Sequence, residues 1–204
     1  MKADGETQSP TQSSPLNYES APVLSIADTP APGARSALTL LLAINLFNYV
    51  DRYILSAVEP RMQEFFKVSQ EKMGYAQTAF LLSYMIFSPV FGILGAKMSR
   101  WFLVGVGVTI WSLASGATGM AQTYLILILT RCFVGIGEAA YGPIAPALIS
   151  DLFPVKRRGK VLSLFYLAIP VGGALGFVFA AGMLKFFTWR SAFSPSSRRE
   201  YFWV

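Results

Sequence analysis

The stretch ALTLLLAINLFNYVDRYILSAV, residues 37–58, is apolar along most of its length but carries Asp51 and Arg52 side by side. About 20 apolar residues in a helix cross the hydrocarbon core of a bilayer, so the stretch predicts a membrane-spanning helix. A charged side chain near the centre of such a helix costs about 2.5–3.5 kcal/mol on insertion scales. The pair therefore indicates a protein interior or a polar cavity rather than contact with lipid.

The composition of the whole chain favours the same conclusion. Hydrophobic residues make up 53% of the 204 residues and charged residues only 14%, whereas soluble domains carry about 25% charged residues. Four further stretches have the length and composition of spans: 74–96, 101–121, 124–149 and 161–187. The sequence thus predicts an all-α integral membrane protein with about five transmembrane helices.

The two ends of the chain lack this apolar pattern. Residues 1–35 are rich in Ser, Pro and Thr without periodicity, which is typical of a disordered tail. Residues 194–204, SPSSRREYFWV, form a polar tail that does not fit the preceding pattern. Residues 36–193 are predicted to form one membrane domain.

Two short basic segments, 97–100 and 154–160, predict the orientation in the membrane. Because Lys and Arg accumulate in cytoplasmic loops, these loops and the amino terminus are expected in the cytoplasm, and residues 188–204 outside. Three arginines then lie on the disfavoured side: Arg190, Arg198 and Arg199. The net charge of +6 is spread over short loops rather than one surface, which argues against a nucleic-acid-binding protein.

The chain contains no histidine and a single cysteine, Cys132. An internal disulfide, a His-based triad and a His zinc site are therefore excluded. With no plausible pair of nucleophile and base, an enzyme is not expected, and no metal or cofactor is predicted. Any proton chemistry must use carboxylates, driven by a proton gradient.

Four ionisable residues lie well inside the predicted spans, and their formal charges sum to zero: Asp51, Arg52, Arg131 and Glu138. Spans one and four run in opposite directions, so Asp51 and Arg131 are expected at similar depths, each about 10 Å from the outer end. Glu138 follows two turns deeper on the same face as Arg131. Asn45 and Asn48 extend the polar face of span one, and the two polar faces are predicted to meet.

Two alternatives remain open for these charges. Asp51 and Arg52 could mark the outer end of a short span, wetted by the interface. Arg131 could extend its side chain outward to the membrane surface. Two further features concern packing: Gly172 and Gly176 predict close approach of helices, and Pro170 breaks a backbone hydrogen bond that a neighbour must satisfy.

Four segments resemble, in order, the amino-terminal half of a major facilitator superfamily transporter: NYVDR, GILGAKMSR, RCFVGIGEAAYGPIAPALISDLFPVKRRGK and FYLAIPVGGALG. The resemblance covers about residues 37–193 and is greatest to the spinster-like branch, which is associated with export of lysophospholipids and sphingolipids. It implies twelve spans in two six-helix halves, with the substrate at the midplane between the halves.

The resemblance also implies roles for individual residues. Asp51 and Glu138 match the protonatable carboxylates of the family, Arg52 and Arg131 match their partners, and Asn48 belongs to the same cavity. A cytoplasmic gating loop is matched by Gly92, Gly95, Lys97 and Arg100. The acidic residue of this loop motif is replaced by Ala96, which puts gating in doubt.

The resemblance predicts a multi-pass protein of the cell membrane that transports a small organic or lipid-like substrate, coupled to protons. In the family a sixth span and a second half follow the position where this chain has its polar tail. A second half or another copy of the chain is therefore expected to complete the fold. The alternative is a non-transporting membrane remnant of a disrupted transporter gene.

Overall fold

A computed structural model describes residues 29–186 and 188–193. Within these residues the chain forms seven α-helices followed by one 3-10 turn, Trp189–Ala192. The helices are α1 Ala34–Phe66, α2 Gln70–Lys97, α3 Arg100–Gly119, α4 Tyr124–Tyr141, α5 Ile144–Leu152, α6 Val155–Tyr166 and α7 Ala168–Phe186. The described part of the chain contains no strand.

Five helical units are long and apolar enough to cross a membrane. They comprise α1, α2 and α3 singly, the continuous stretch Tyr124–Leu152 and the stretch Val155–Lys185. The predicted all-α class with five spans is thereby confirmed. The predicted polar tail, 194–204, lies outside the described residues.

The structure corrects three predicted boundaries. The basic segment 154–160 is not a loop: Pro154 precedes α6, and the residues after it form the first turns of that helix, as expected because proline is tolerated at the start of a helix. Helix α1 begins at Ala34, inside the predicted tail, and continues past residue 58 to Phe66. Residues 1–28 of that tail lie outside the described residues.

Spans four and five are each broken into two helices. Gly142 and Pro143 separate α4 from α5, and Leu167 separates α6 from α7, three residues before Pro170. Near the second break the buried side chain of Asn45 donates a hydrogen bond from Nδ2 to the carbonyl of Phe165, at 2.8 Å. A neighbouring helix thus gives a partner to a backbone carbonyl near the break. Pro170 frees a different carbonyl, that of Tyr166 one residue further on, so its satisfaction by a neighbour stays a prediction.

Glycines mark the points where helices come closest. Helix α1 packs on α7, while α2 and α3 both pack on α4. A Cβ atom on Gly107 of α3 would lie 2.7 Å from the Cβ of Ala140 and from the carbonyl oxygen of Gly137 on α4. On α7, a Cβ on Gly172 would lie 2.6 Å from the Cβ of Tyr49. The predicted packing role of Gly172 is thereby confirmed.

An arginine and a tryptophan join the ends of α1, α3 and α7. Trp189 is buried, with its ring centroid 5.7 Å from that of Phe65. Arg190 donates from Nη2 to the carbonyl of Ala121 at 2.9 Å and from Nη1 to that of Gly119 at 3.3 Å. Because carbonyls at a helix C-terminus attract positive charge, Arg190 is accommodated at the end opposite the basic segments. Arg198 and Arg199 lie outside the described residues.

We expect Gly107→Ala to lower stability by about 1–3 kcal/mol, because the added methyl group forces α3 away from α4. Gly105→Ala is the matched control on the same helix, since a Cβ there meets no atom within 4 Å. Thermal unfolding of both variants in detergent measures the difference. Equal unfolding midpoints for the two variants would show that the close approach does not limit packing.

Candidate functional site

An ion pair joins α1 to α4 in the interior of the helical bundle. The guanidinium of Arg52 donates from Nη2 to Oε2 of Glu138. The side chain of Glu138 is only 5% exposed, and that of Arg52 is 34% exposed. Removing one partner of such a pair leaves a buried, uncompensated charge, which is costly.

Asp51 has a different kind of partner. The hydroxyl oxygen of Ser115 on α3 lies 2.7 Å from Oδ1 and 2.8 Å from Oδ2 of Asp51. Within the described residues Asp51 makes no ion pair of 4 Å or less. The adjacent residues Asp51 and Arg52 therefore point to different helices, as their separation of about 100° around the helix requires.

Arg131 is also held by α3. Its side chain is buried, and Nη2 donates to the hydroxyl of Thr118 at 2.6 Å. Thr118 in turn lies 3.1 Å from the hydroxyl of Thr130. Arg131 therefore points into the bundle and does not extend to the membrane surface, which contradicts the outward alternative.

The second alternative places Asp51 and Arg52 at the outer end of a short span, wetted by the interface. Helix α1 continues for fourteen residues beyond Arg52, to Phe66. At 1.5 Å per residue this continuation is about 20 Å long. Both charges consequently lie inside helix α1 and not at its end, and their depth in the membrane stays a prediction.

A small cavity lies among these charges. Its walls come from α1, α2 and α4, and it is lined by Asp51, Arg52, Leu55, Gln77, Phe80, Arg131, Val134 and Glu138. The guanidinium carbon of Arg52 lies 5.0 Å from the ring centroid of Phe80, within the range of a cation–π contact. The cavity thus combines four charged side chains with apolar walls.

Three buried nitrogen atoms near the cavity lack hydrogen-bond partners among the described residues: Asn48 Nδ2, Arg52 Nε and Arg131 Nε. All three are donors, and buried polar groups are normally satisfied by protein, water or a ligand. The unsatisfied groups near the cavity are therefore hydrogen-bond donors, which favours binding of a molecule that carries acceptor oxygens.

The predicted gating residues lie at a separate place, where α2 ends and α3 begins. Arg100 forms an ion pair with Asp151 on α5, and its Nε donates to the carbonyl of Gly95 at 3.3 Å. Gly95 is buried against Ile144, whereas Gly92 and Lys97 are exposed. The predicted gating residues therefore lie apart from the predicted cavity residues.

Sequence analysis missed several members of these sites. It did not name Ser115 and Thr118 as partners of the charges, Gln77 and Phe80 as cavity walls, or Asp151 as the partner of Arg100. A signal for the first two was present: Ser115 and Thr118 are three residues apart on an apolar span, so both side chains lie on one helix face.

Comparisons with known proteins agree with the sequence motifs. A family model described as the Major Facilitator Superfamily matches residues 41–194. The human protein spinster homolog 1 is 44% identical over 152 residues, which are 72% of this chain and 29% of the human protein. Protein spinster of Drosophila melanogaster is 42% identical over 141 residues, which are 69% of this chain and 23% of the fly protein.

A solved structure gives the same result. It is titled as a bacterial homolog to the human lysosomal transporter Spinster, inward-facing and unoccupied, and it matches with a TM-score of 0.71 at 26% identity over 76% of this chain and 33% of that one. This chain thus spans less than a third of the length of the curated relatives that it matches. The predicted spinster-like resemblance is confirmed, and the chain belongs to the major facilitator superfamily.

Proposed function

We propose that this chain is the amino-terminal part of a secondary transporter that couples protons to the movement of a small organic or lipid-like substrate. The observation that carries the proposal is the buried Arg52–Glu138 pair between α1 and α4, with Asp51 and Arg131 lining the same cavity. Ionisable groups inside a membrane span normally serve a substrate or ion pathway.

The proposed coupling step acts on the link between α1 and α4. When Glu138 takes up a proton its charge is lost, and the attraction between its carboxyl group and Arg52 weakens. Because this pair connects the two helices by side chains, its loss frees them to move relative to each other. Loss of the proton restores the pair.

The chemistry of the cavity supports the proposed class of substrate. The three donors without partners, Asn48 Nδ2, Arg52 Nε and Arg131 Nε, favour a head group rich in acceptor oxygens. Leu55, Phe80 and Val134 provide apolar surface beside these donors, but the cavity of about 10 Å³ has room for only about one water molecule, so a hydrocarbon portion enters only after the helices move apart. A lysophospholipid or a sphingolipid, the substrates implied by the spinster-like resemblance, combines both features.

A second body is part of the proposal. Alternating access in this superfamily needs two six-helix halves around a central site, and this chain provides five spans in its described residues. We propose that a second half or another copy of the chain supplies the opposite wall. If the chain has no such partner, it is a non-transporting remnant.

We further propose that the amino terminus faces the cytoplasm and that the protein resides in the cell membrane. Contacts of Ala31 and Arg100 with α5 place the start of α1 and the start of α3 at one end of the bundle. The described residues at that end include one acidic residue, Asp151, and seven basic residues. The basic residues are Arg35, Lys97, Arg100, Lys156, Arg157, Arg158 and Lys160. Such an excess is typical of the cytoplasmic side.

Glu138→Gln is expected to abolish proton-driven uptake of a lysophospholipid, because the amide cannot gain or lose a proton. The measurement is uptake into proteoliposomes with an imposed pH gradient. Glu64→Gln is the matched control, because that side chain is 74% exposed at the end of α1. Proton-driven uptake at the wild-type level in Glu138→Gln would refute the proposed coupling step. A wild-type chain that shows no uptake under any pH gradient would indicate a non-transporting remnant.

The Arg52–Glu138 pair also predicts a pattern in stability. Arg52→Gln should destabilise the protein by about 3–5 kcal/mol, because it leaves the buried charge of Glu138 uncompensated, and Glu138→Gln should destabilise it less, because the side chain of Arg52 is 34% exposed. The double variant should be more stable than the sum of the two losses predicts. Thermal unfolding of the four proteins measures this coupling, and strictly additive losses would contradict it.

The orientation is tested by labelling in intact cells. In a Cys132→Ser background, Lys72→Cys and Lys97→Cys place single exposed thiols at opposite ends of the bundle. A membrane-impermeant maleimide should label only Lys72→Cys before permeabilisation and both variants afterwards. Labelling of Lys97→Cys in intact cells would reverse the proposed orientation.

A further inference from the structure

The two buried carboxylates have chemically different partners. Glu138 accepts from the guanidinium of Arg52, which can only donate hydrogen bonds, and the side-chain amide of Asn48 lies beside the same carboxylate. Asp51 faces the hydroxyl of Ser115, whose oxygen lies 2.7 and 2.8 Å from the two carboxylate oxygens. A hydroxyl both donates and accepts, so it can bond to either protonation state of a carboxyl group.

This difference decides what a proton does at each position. A protonated Glu138 would lose its charge-assisted bond to Arg52, a cation that has no acceptor to offer, and its O–H would have to turn to the amide of Asn48. A protonated Asp51 would donate its O–H to the oxygen of Ser115 after rotation of the hydroxyl. The hydrogen bond therefore survives at Asp51, with only the direction of donation reversed.

The groups around Asp51 come from each neighbouring helix. On α1, Arg52 is directed at Glu138. From α4, Glu138 lines the same cavity as Asp51 and is paired with Arg52. Arg131, also on α4, is held by Thr118, which lies three residues after Ser115 on α3. From α2, the uncharged side chain of Gln77 lines the same cavity. Helix α3 thus positions both Asp51 and Arg131.

We propose that Ser115 is a positioning residue that keeps Asp51 hydrogen-bonded in both its charged and its protonated state, and so permits proton exchange at Asp51. This inference rests on the proposed proton-coupled function. The exchange changes one bond only: Asp51 gains a proton from the aqueous side or returns it. The hydroxyl of Ser115 changes from donor to acceptor and keeps its own proton.

The test is infrared difference spectroscopy of the full chain in lipid nanodiscs as a function of pH. Asp51→Asn and Glu138→Gln assign the carboxyl bands. In Ser115→Ala the C=O band of protonated Asp51 should move to higher frequency, because the protonated carboxyl group loses its hydrogen bond to the hydroxyl of Ser115. The C=O band of Glu138 should keep its wild-type frequency, which a general collapse of the site would not allow.

Ser115→Thr keeps the hydroxyl and should titrate like the wild type. Ser112→Ala, an exposed serine on the same helix, is the matched control and should also leave the band in place. An unshifted Asp51 band in Ser115→Ala would overturn the role of Ser115 while leaving the proposed transport intact. If the wild-type spectrum contains no titrating band that disappears in Asp51→Asn, then Asp51 does not exchange a proton. That result would overturn the inference whatever the transport assay gives.

Discussion

The buried ion pair between Arg52 and Glu138 is the constraint on which the rest of the site depends. Taking two charges out of water costs several kcal/mol for each, and mutual attraction compensates only when the geometry is good. The packing of the bundle provides that geometry: α7 supports α1, whereas α2 and α3 both support α4. The two helices that carry the pair are thus held by different neighbours and are linked to each other through their charged side chains.

Helix α3 gives the site a third side. Its glycine at position 107 lets it approach α4 closely, and about two to three turns further along the helix Ser115 and Thr118 reach Asp51 and Arg131. Hydroxyl groups on an apolar helix orient charges without adding a charge of their own. Asp51 and Arg131 are therefore satisfied separately, through α3, rather than by direct contact with each other.

Much of this arrangement was predictable from the sequence, and the reasons for the misses are physical. Spans depend on the length of apolar runs, and an ionisable residue inside a run is conspicuous because it is costly, so Asp51, Arg52, Arg131 and Glu138 stood out. Serine and threonine give a weaker signal, since in a helix their hydroxyls often bond to their own backbone, as Thr109 does with the carbonyl of Gly105 at 2.8 Å. The partner of Arg100 and the capping role of Arg190 depend on contacts between distant segments, which periodicity cannot reveal.

The charge balance of the cluster bears on what any completing body must contribute. Asp51, Arg52, Arg131 and Glu138 sum to zero within this chain, and each has a partner on another of its own helices: Arg52 and Glu138 pair with each other, and Ser115 and Thr118 hold the other two. No charge from outside the chain is needed to make their burial acceptable. What remains unsatisfied is a set of donor nitrogens, not a net charge. A second half or second copy of the kind we propose would therefore contribute an opposing wall, and it would not have to balance the charge of this cluster.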